Sequence, residues 1–229
     1  MAKRVIVAID GPAGAGKSSV AKTLAARLGF IHIDTGAMYR CVALWAMRTG
    51  VSDDDFHKLE QLALGADIRF EAGTPQRVLL NGEDVTDEIR VPHMGDRTSR
   101  VSQTPGVRRA LIAKQRAMGE TASVVMEGRD IGTAVFPDAE VKIFLDAALD
   151  VRIGRRKAEL LEKGVAFDEA ELAGDMAERD RRDRGEHGGL RQAPDADLVD
   201  SSELNLDEVV EQILKTVRAR TSNGKEYAR

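Results

Sequence analysis

The sequence contains few of the residues on which several classes of protein depend. Its 229 residues include a single cysteine, Cys41, so no disulfide can form within the chain, and we expect a core thiol in a reducing compartment. Aromatic residues are scarce (six Phe, two Tyr and one Trp) and the net charge is −4, which argues against nucleic-acid binding. His32, His57, His93 and His187 are isolated and lack metal-ligand spacing, so we assign none of them a chemical role.

The chain also lacks a long hydrophobic run. No segment approaches the roughly 18 uninterrupted apolar residues of a membrane span. Lys3 and Arg4 precede an apolar run, as in a signal peptide, but Asp10 and Gly11 end that run too early. We therefore expect a cytoplasmic protein without membrane association. No apolar stripe marks an interface, so we also expect a monomer.

Short apolar runs alternate with helical patterns. Residues 5–9 form a β-branched run, residues 18–28 follow with helical spacing, and residues 30–33 form a second run. Further strand-like runs occupy residues 123–126, 141–145 and 196–199. This order predicts an α/β fold with a mainly parallel sheet that is covered by helices on both faces.

One section departs from this alternation. Residues 67–70 and 77–80 are strand-like, and Asn81-Gly82 is a hairpin-turn signal. Two helix candidates follow, and Pro105 opens the second at a favoured position. We interpret the section as a small antiparallel β insertion within one compact domain.

A phosphate-binding loop follows the first strand. Residues 11–18 match G-x-x-x-x-G-K-[ST] in full, between a strand and a helix. Glycines let successive backbone amides approach an anion, and the helix N-terminus adds a positive dipole. Lys17 can reach the β and γ oxygens of ATP, and the Ser18 hydroxyl can ligate Mg²⁺. The predicted ATP-binding residues are Gly11, Pro12, Ala13, Gly14, Ala15, Gly16, Lys17, Ser18 and Ser19.

This loop alone does not distinguish a kinase from a GTPase, a motor or a transporter ATPase. The sequence has no Asn-Lys-x-Asp string of the kind that reads guanine, and an oligomeric motor would normally need a longer chain. Residues beyond the loop must therefore distinguish among these classes of protein.

Charged residues follow two further predicted strands, at the edge of the sheet where ligands bind. Thr35 can cap the next helix, and Arg40 can hold an acceptor phosphate or remain a solvated arginine. Glu127 can order Mg²⁺ or its waters, and Arg129 can neutralise phosphate. An internal pair between Glu127 and Arg129 is the structural alternative.

An arginine-rich segment lies near the C-terminal end. Helical spacing pairs Arg179 with Asp183 and Asp180 with Arg184. Two interpretations stay open: a solvated, ion-paired helix, or a mobile lid whose arginines close over the transferring phosphoryl group.

Taken together, these strings resemble the bacterial cytidylate kinase family over nearly the whole chain. The resemblance rests on IDGPAGAGK at residues 9–17, DTGAMYR at 34–40, EGRDIGT at 127–133, FPDA at 136–139, VKIFLDA at 141–147 and the segment from Arg179 to Asp183. It implies a P-loop NTPase fold with a five-stranded parallel sheet, an acceptor-binding insertion at about residues 61–105 and a helical lid at about 150–190. The core would comprise residues 1–60, 120–150 and 190–229.

The resemblance further implies transfer of a phosphoryl group from ATP to CMP or dCMP, with Mg²⁺. Ser99 and Arg108 would read cytosine with help from Asp130. Catalysis would fall to Lys17, Glu127, Arg129 and Arg179. The acceptor-binding residues would be Thr35, Arg40, Ser99, Arg108, Arg129, Asp130, Arg179, Asp183 and Arg184.

Two positions depart from the family pattern. Glu186 stands where the family commonly has an arginine, and Arg184 or Arg191 would have to replace it. Glu127 stands where many relatives have Asp, which keeps the charge and lengthens the side chain.

Two other functions stay open from the sequence. The chain could phosphorylate another acceptor, such as UMP, AMP, dTMP or a metabolite alcohol, although the insertion with Ser99 and Arg108 argues against an alcohol. It could also be a regulatory module that binds nucleotide without turnover. Lys17, Ser18, Arg40 and Arg129, which are all intact, argue against that.

Overall fold

The structure, a computed structural model, describes residues 4–71, 73, 76–91, 94–186 and 188–221, so His93 and His187 lie outside the described residues. The chain divides into two compact units. The first unit comprises Met1–His32 and Gly119–Arg229, and the second comprises Ile33–Met118. No helix in the described ranges has the length and apolar character needed to cross a membrane.

Five strands, β1 (Ile6–Asp10), β2 (Ile31–Asp34), β6 (Val124–Gly128), β7 (Val141–Asp146) and β8 (Asp197–Asp200), form one sheet. Their order in the sheet is β2-β6-β1-β7-β8. β1 pairs in parallel with β6 and β7, and β7 pairs in parallel with β8. The predicted parallel sheet is therefore confirmed, with each strand within one or two residues of its predicted bounds.

The central strands are apolar on both faces because helices cover them. Val7, Ala8 and Ile9 are all fully buried, as parallel strands of this kind require. Helix α1 (Lys17–Leu28) packs against β6 and against helix α8 (Leu206–Arg220), and α8 also contacts β7. The helices of the first unit are α1 (Lys17–Leu28), α6 (Leu149–Glu162), α7 (Glu169–Arg184) and α8 (Leu206–Arg220), with a π-helical turn at Ile131–Val135.

The second unit carries the predicted insertion. Its antiparallel sheet has the order β3-β4-β5, and Asn81 (φ 52°) with Gly82 (φ 86°) makes the expected turn between β4 and β5. α2 packs on α3, on α4 and on a 3₁₀ helix at Glu88–Arg90. The remaining elements are α2 (Thr35–Arg48), α3 (Phe56–Gly65), β3 (Ile68–Glu71), β4 (Arg77–Leu80), β5 (Glu83–Asp84), α4 (Met94–Val101) and α5 (Pro105–Gly119).

The N-terminus of α2 corrects one expectation. Asp34, not Thr35, caps this helix: its carboxylate accepts a hydrogen bond from the Ala37 amide at 3.0 Å. Thr35 is instead the first residue of the helix, and it is buried. A carboxylate is at least as good a cap as a hydroxyl, and its charge also interacts favourably with the helix dipole.

Gly11 is the position where β1 turns into the phosphate-binding loop. Its φ is 153°, and a Cβ atom built there would lie 1.9 Å from the backbone oxygen of Leu145. Backbone atoms of a central strand cannot move aside as a flexible side chain can. The loop therefore passes so close to β7 that only glycine fits.

We expect Gly11→Ala to lower the free energy of unfolding by about 3 kcal/mol or more, because the added methyl overlaps the Leu145 carbonyl. The matched control is Gly29→Ala: Gly29 also has a positive φ of 68°, but nothing lies within 4 Å of the added carbon. The Gly29→Ala control should lower the free energy of unfolding by only about 1 kcal/mol. Urea unfolding of both variants measures the difference, and equal losses would contradict the close approach.

Candidate active site

The phosphate-binding loop lies between β1 and α1, as predicted, and three of its carbonyl groups are held by cationic side chains. Lys17 Nζ donates to the Pro12 oxygen at 2.6 Å. From α6, Arg152 Nη1 donates to the Ala13 oxygen at 3.1 Å, and Arg155 Nη1 donates to the Ala15 oxygen at 3.3 Å.

These contacts set the direction of the loop amides. In a trans peptide the C=O and N–H bonds point in opposite directions. The N–H groups of Gly14 and Gly16 therefore point away from the α6 arginines that hold the carbonyls of Ala13 and Ala15. Gly16 also precedes α1 without a capping side chain that would compete for the first amides of that helix. The loop thus presents amide hydrogens as a phosphate site requires.

Arg152 joins this loop to the arginine-rich helix α7. Its guanidinium forms a bidentate pair with Asp180 at 2.6 and 3.1 Å, and its Nε donates to the Ala147 oxygen at 3.0 Å. The predicted pairing of Asp180 with Arg184 is therefore wrong. Both arginines carry the same planar guanidinium, but Arg152 is buried while Arg184 is exposed, so solvent screens the pair with Arg152 less. Arg184 is more than half exposed, and its Nη2 lies 3.9 Å from Asp146.

Positive charge accumulates around Lys17. Burial lowers the pKa of Lys17, and Arg129 and Arg179 lower it further, while Glu127 opposes them. Lys17 lies at the start of α1, Arg129 directly follows β6, and Arg179 lies on α7. Three catalytic candidates from separate parts of the sequence thus act on one another electrostatically. A polyanion in this region would offset the repulsion among them.

Arg129 also forms a contact that its spacing along the chain does not reveal. Its Nε donates to Asp183 Oδ2 at 2.8 Å. Burial raises the pKa of Asp183, but Arg129 and Arg179 together hold it below its ordinary value. The predicted proximity of Arg179 and Asp183 is thus present, with Arg129 as a third member.

The loop serine and the carboxylate that ends β6 are in direct contact. Ser18 Oγ donates to Glu127 Oε2 at 2.7 Å, and Glu127 is buried. His32 Nε2 lies 2.9 Å from the other oxygen, Glu127 Oε1, a contact that the sequence analysis did not predict. Because β2 and β6 are neighbours, the histidine that precedes Ile33 reaches the carboxylate that precedes Gly128.

A hydroxyl beside a carboxylate fits Mg²⁺, which prefers oxygen ligands and in phosphotransferases keeps waters and substrate phosphates around it. Among the described residues, no three His, Cys, Asp or Glu side chains form a group that could hold a metal alone. Ser18 and Glu127 are therefore suited to a metal that arrives with a nucleotide.

The turn after β6 is fixed by Asp10. Its two carboxylate oxygens accept hydrogen bonds from the amides of Ile131 and Gly132, at 2.7 and 2.8 Å. Burial nevertheless raises the pKa of Asp10 to about 6, with Asp130 contributing. Asp130 is itself buried and precedes the π-helical turn. Asp10 thus links the end of β1 to the segment that carries Arg129 and Asp130.

Four predicted acceptor-binding residues belong to the second unit. Thr35 and Arg40 lie on α2, Ser99 on α4 and Arg108 on α5. Arg40 Nη1 donates to the Ile89 oxygen at 3.0 Å. Ser99 is 3% exposed, and its hydroxyl has no hydrogen-bond partner among the described residues. A buried hydroxyl without a partner is costly in a folded protein, so Ser99 is a candidate for ligand contact.

The parallel sheet and the loop with its lysine, serine and facing carboxylate define the class: a P-loop nucleotide-binding protein of the phosphotransferase type. The cytidylate kinase family model matches residues 7–219. The chain therefore belongs to the cytidylate kinase family.

Individual relatives agree. The chain is 56% identical to a cytidylate kinase from Solibacter usitatus (strain Ellin6076), over 99% of this chain and 97% of that one. It is 52% identical to a cytidylate kinase from Geobacter sp. (strain M21), over 96% and 95% of the two chains. The resemblance that the motifs indicated is confirmed.

We expect Arg152→Met to lower the free energy of unfolding by about 3–5 kcal/mol, because it leaves the carboxylate of Asp180 without its buried partner. The control is Arg27→Met, which removes surface ion pairs to Asp207 and Glu211 and should cost less than about 1 kcal/mol. Denaturant unfolding of both variants provides the comparison. Similar losses would mean that the Arg152–Asp180 pair does not hold the loop to α7.

Proposed function

We propose that this protein catalyses ATP-dependent phosphorylation of CMP and dCMP to the corresponding diphosphates. The observation that carries the proposal is the phosphate-binding loop with its amides aligned, next to buried Lys17 and the facing pair of Ser18 and Glu127. Membership of the cytidylate kinase family supports the choice of acceptor.

The reaction is an in-line transfer. An oxygen of the acceptor's phosphate forms a bond to the γ-phosphorus of ATP while the bond from that phosphorus to the β–γ bridging oxygen breaks, and ADP departs. The acceptor phosphate has a second pKa of about 6, so it is already a nucleophile at neutral pH and needs no strong general base. Catalysis then depends on alignment and on charge stabilisation.

The loop amides bind the phosphates of ATP, and Lys17 and Arg129 neutralise charge that develops on the transferring group. Arg179 adds positive potential from α7. When bound, Mg²⁺ supplies further charge neutralisation on the phosphates, and Ser18 with Glu127 would hold it. His32 contacts Glu127 without belonging to this set.

The acceptor-binding roles are proposed residue by residue, as the family resemblance implies. In the second unit, Thr35 and Arg40 contact the nucleotide, and Ser99 and Arg108 read the base. Cytosine has an amino donor beside two acceptors, which suits a hydroxyl and a guanidinium. In the first unit, Arg129 holds the phosphate, Asp130 assists with the base, and Arg179, Asp183 and Arg184 complete the set.

We also propose that residues at about 61–105 act as the acceptor-binding insertion and those at about 150–190 as a lid, within one catalytic domain. Lid closure would exclude water, which otherwise accepts the phosphoryl group. The single buried cysteine supports a location in the reducing cytoplasm. We also propose a monomer, because the sequence shows no apolar interface stripe.

The acceptor is tested by ADP formation from Mg²⁺-ATP with CMP, dCMP, UMP, AMP and dTMP. We expect turnover to be fastest with CMP and dCMP and to be lost in Lys17→Met, because that variant removes the buried charge at the phosphates. If another acceptor is preferred, the protein is still a kinase, but Ser99, Arg108 and Asp130 do not read cytosine. ATP binding without turnover on any acceptor would favour a regulatory module.

The Ser99 hydroxyl provides a separate test of base reading. We expect Ser99→Ala to raise the KM for CMP about fivefold, the worth of one hydrogen bond, without loss of stability, since no described residue bonds to that hydroxyl. The control is Thr98→Val, which removes the neighbouring buried hydroxyl that donates to the Met94 oxygen. Steady-state kinetics should show an unchanged KM for the control. An unchanged KM for Ser99→Ala would remove Ser99 from the acceptor site.

A further inference from the structure

His32 contacts a side chain to which we assign a catalytic role, Glu127, because strand β2, which carries His32, lies beside β6. Its Nε2 is 2.9 Å from Glu127 Oε1. The side chains are 14% and 4% exposed, so solvent competes little for the contact. A ring N–H that faces a carboxylate oxygen at this distance is a charge-assisted hydrogen bond.

The two oxygens of Glu127 have different partners. Oε1 faces His32, and Oε2 accepts from the Ser18 hydroxyl at 2.7 Å. A glutamate side chain has three rotatable bonds, and contacts at both oxygens restrict the orientation of its carboxylate. The Ser18 hydroxyl is then directed by a carboxylate that is itself held in place.

We propose that His32 is a positioning residue for phosphoryl transfer: it fixes the Glu127 carboxylate so that the second oxygen orients the Ser18 hydroxyl toward the metal of the nucleotide. This inference rests on the proposed function only for the identity of the reaction. His32 acts through Glu127 and does not touch the reacting atoms. Partners that orient metal ligands in this way typically contribute 10- to 100-fold to metal affinity or activity.

The length of Glu127 makes the contact with His32 possible. Aspartate at the same position is one methylene shorter, so its carboxylate would retreat from the ring of His32. The longer glutamate side chain extends to His32 but has one more rotatable bond than aspartate. The contact with His32 restricts rotation about that bond. The two residues therefore should act as a unit, which a double-mutant cycle can detect.

The test compares His32→Leu with His32→Gln, whose amide can place a donor close to the position of Nε2. The probe is Mn²⁺ binding to the enzyme–ADP complex, which is measured through the electron paramagnetic resonance signal of free Mn²⁺. We expect His32→Leu to weaken Mn²⁺ binding by 10- to 100-fold and His32→Gln to stay within about threefold of wild type. The control, His57→Leu on the exposed face of α3, should not change it.

Kinetics and stability separate positioning from packing. We expect His32→Leu to reduce kcat and leave the KM for CMP unchanged, with cooperative unfolding in the absence of metal. In a Glu127→Asp background, the same His32→Leu change should cost less than threefold in Mn²⁺ affinity. Equal weakening by His32→Leu and His32→Gln, or full additivity with Glu127→Asp, would overturn the proposal.

The outcomes also separate this inference from the proposed function. Normal Mn²⁺ binding by His32→Leu, with CMP turnover intact in wild type, would reject the role of His32 alone. A wild type that fails to phosphorylate CMP would reject the proposed function, and the Mn²⁺ comparison would still decide whether His32 positions Glu127.

Discussion

The burial of Lys17 beneath the phosphate-binding loop is the constraint from which the other features of the first unit follow. Burial and the neighbouring Arg129 and Arg179 lower the pKa of Lys17, so its charged form is held at a cost in the folded protein. Glu127 and Asp183 offset part of that cost. A polyphosphate would offset the rest, because its negative charge would interact favourably with Lys17, Arg129 and Arg179.

The loop keeps its shape because its carbonyl oxygens accept hydrogen bonds from arginine side chains. Arg152 and Arg155 extend from α6 to the oxygens of Ala13 and Ala15, and Arg152 also pairs with Asp180 of α7. These contacts fix the amides before any ligand arrives, so that binding does not have to order them. The same arginine thereby couples the loop to the segment that carries Arg179 and Asp183.

Much of the fold could be predicted because its signals are local. The apolar runs, Asn81-Gly82 and Pro105 each determine the structure of a few neighbouring residues, and all of them were confirmed. The phosphate-binding loop was also predicted from its local sequence motif. The contacts of Arg152 with Asp180 and of His32 with Glu127 join residues 28 and 95 positions apart, and no periodicity encodes them. The i,i+4 spacing within α7 predicted the wrong partner for Asp180, because that spacing considers only residues of the same helix and the actual partner lies on α6.

The most direct test of the buried charge at Lys17 is the free energy of unfolding of Lys17→Met, measured against wild type with and without saturating ATP. Without nucleotide, the variant should be the more stable protein, because it no longer buries a charge beside two arginines. With ATP the order should reverse, because only the wild type gains the full interaction with the phosphates. A variant that is less stable than wild type without nucleotide would contradict the claim that the site stores unfavourable charge for its ligand.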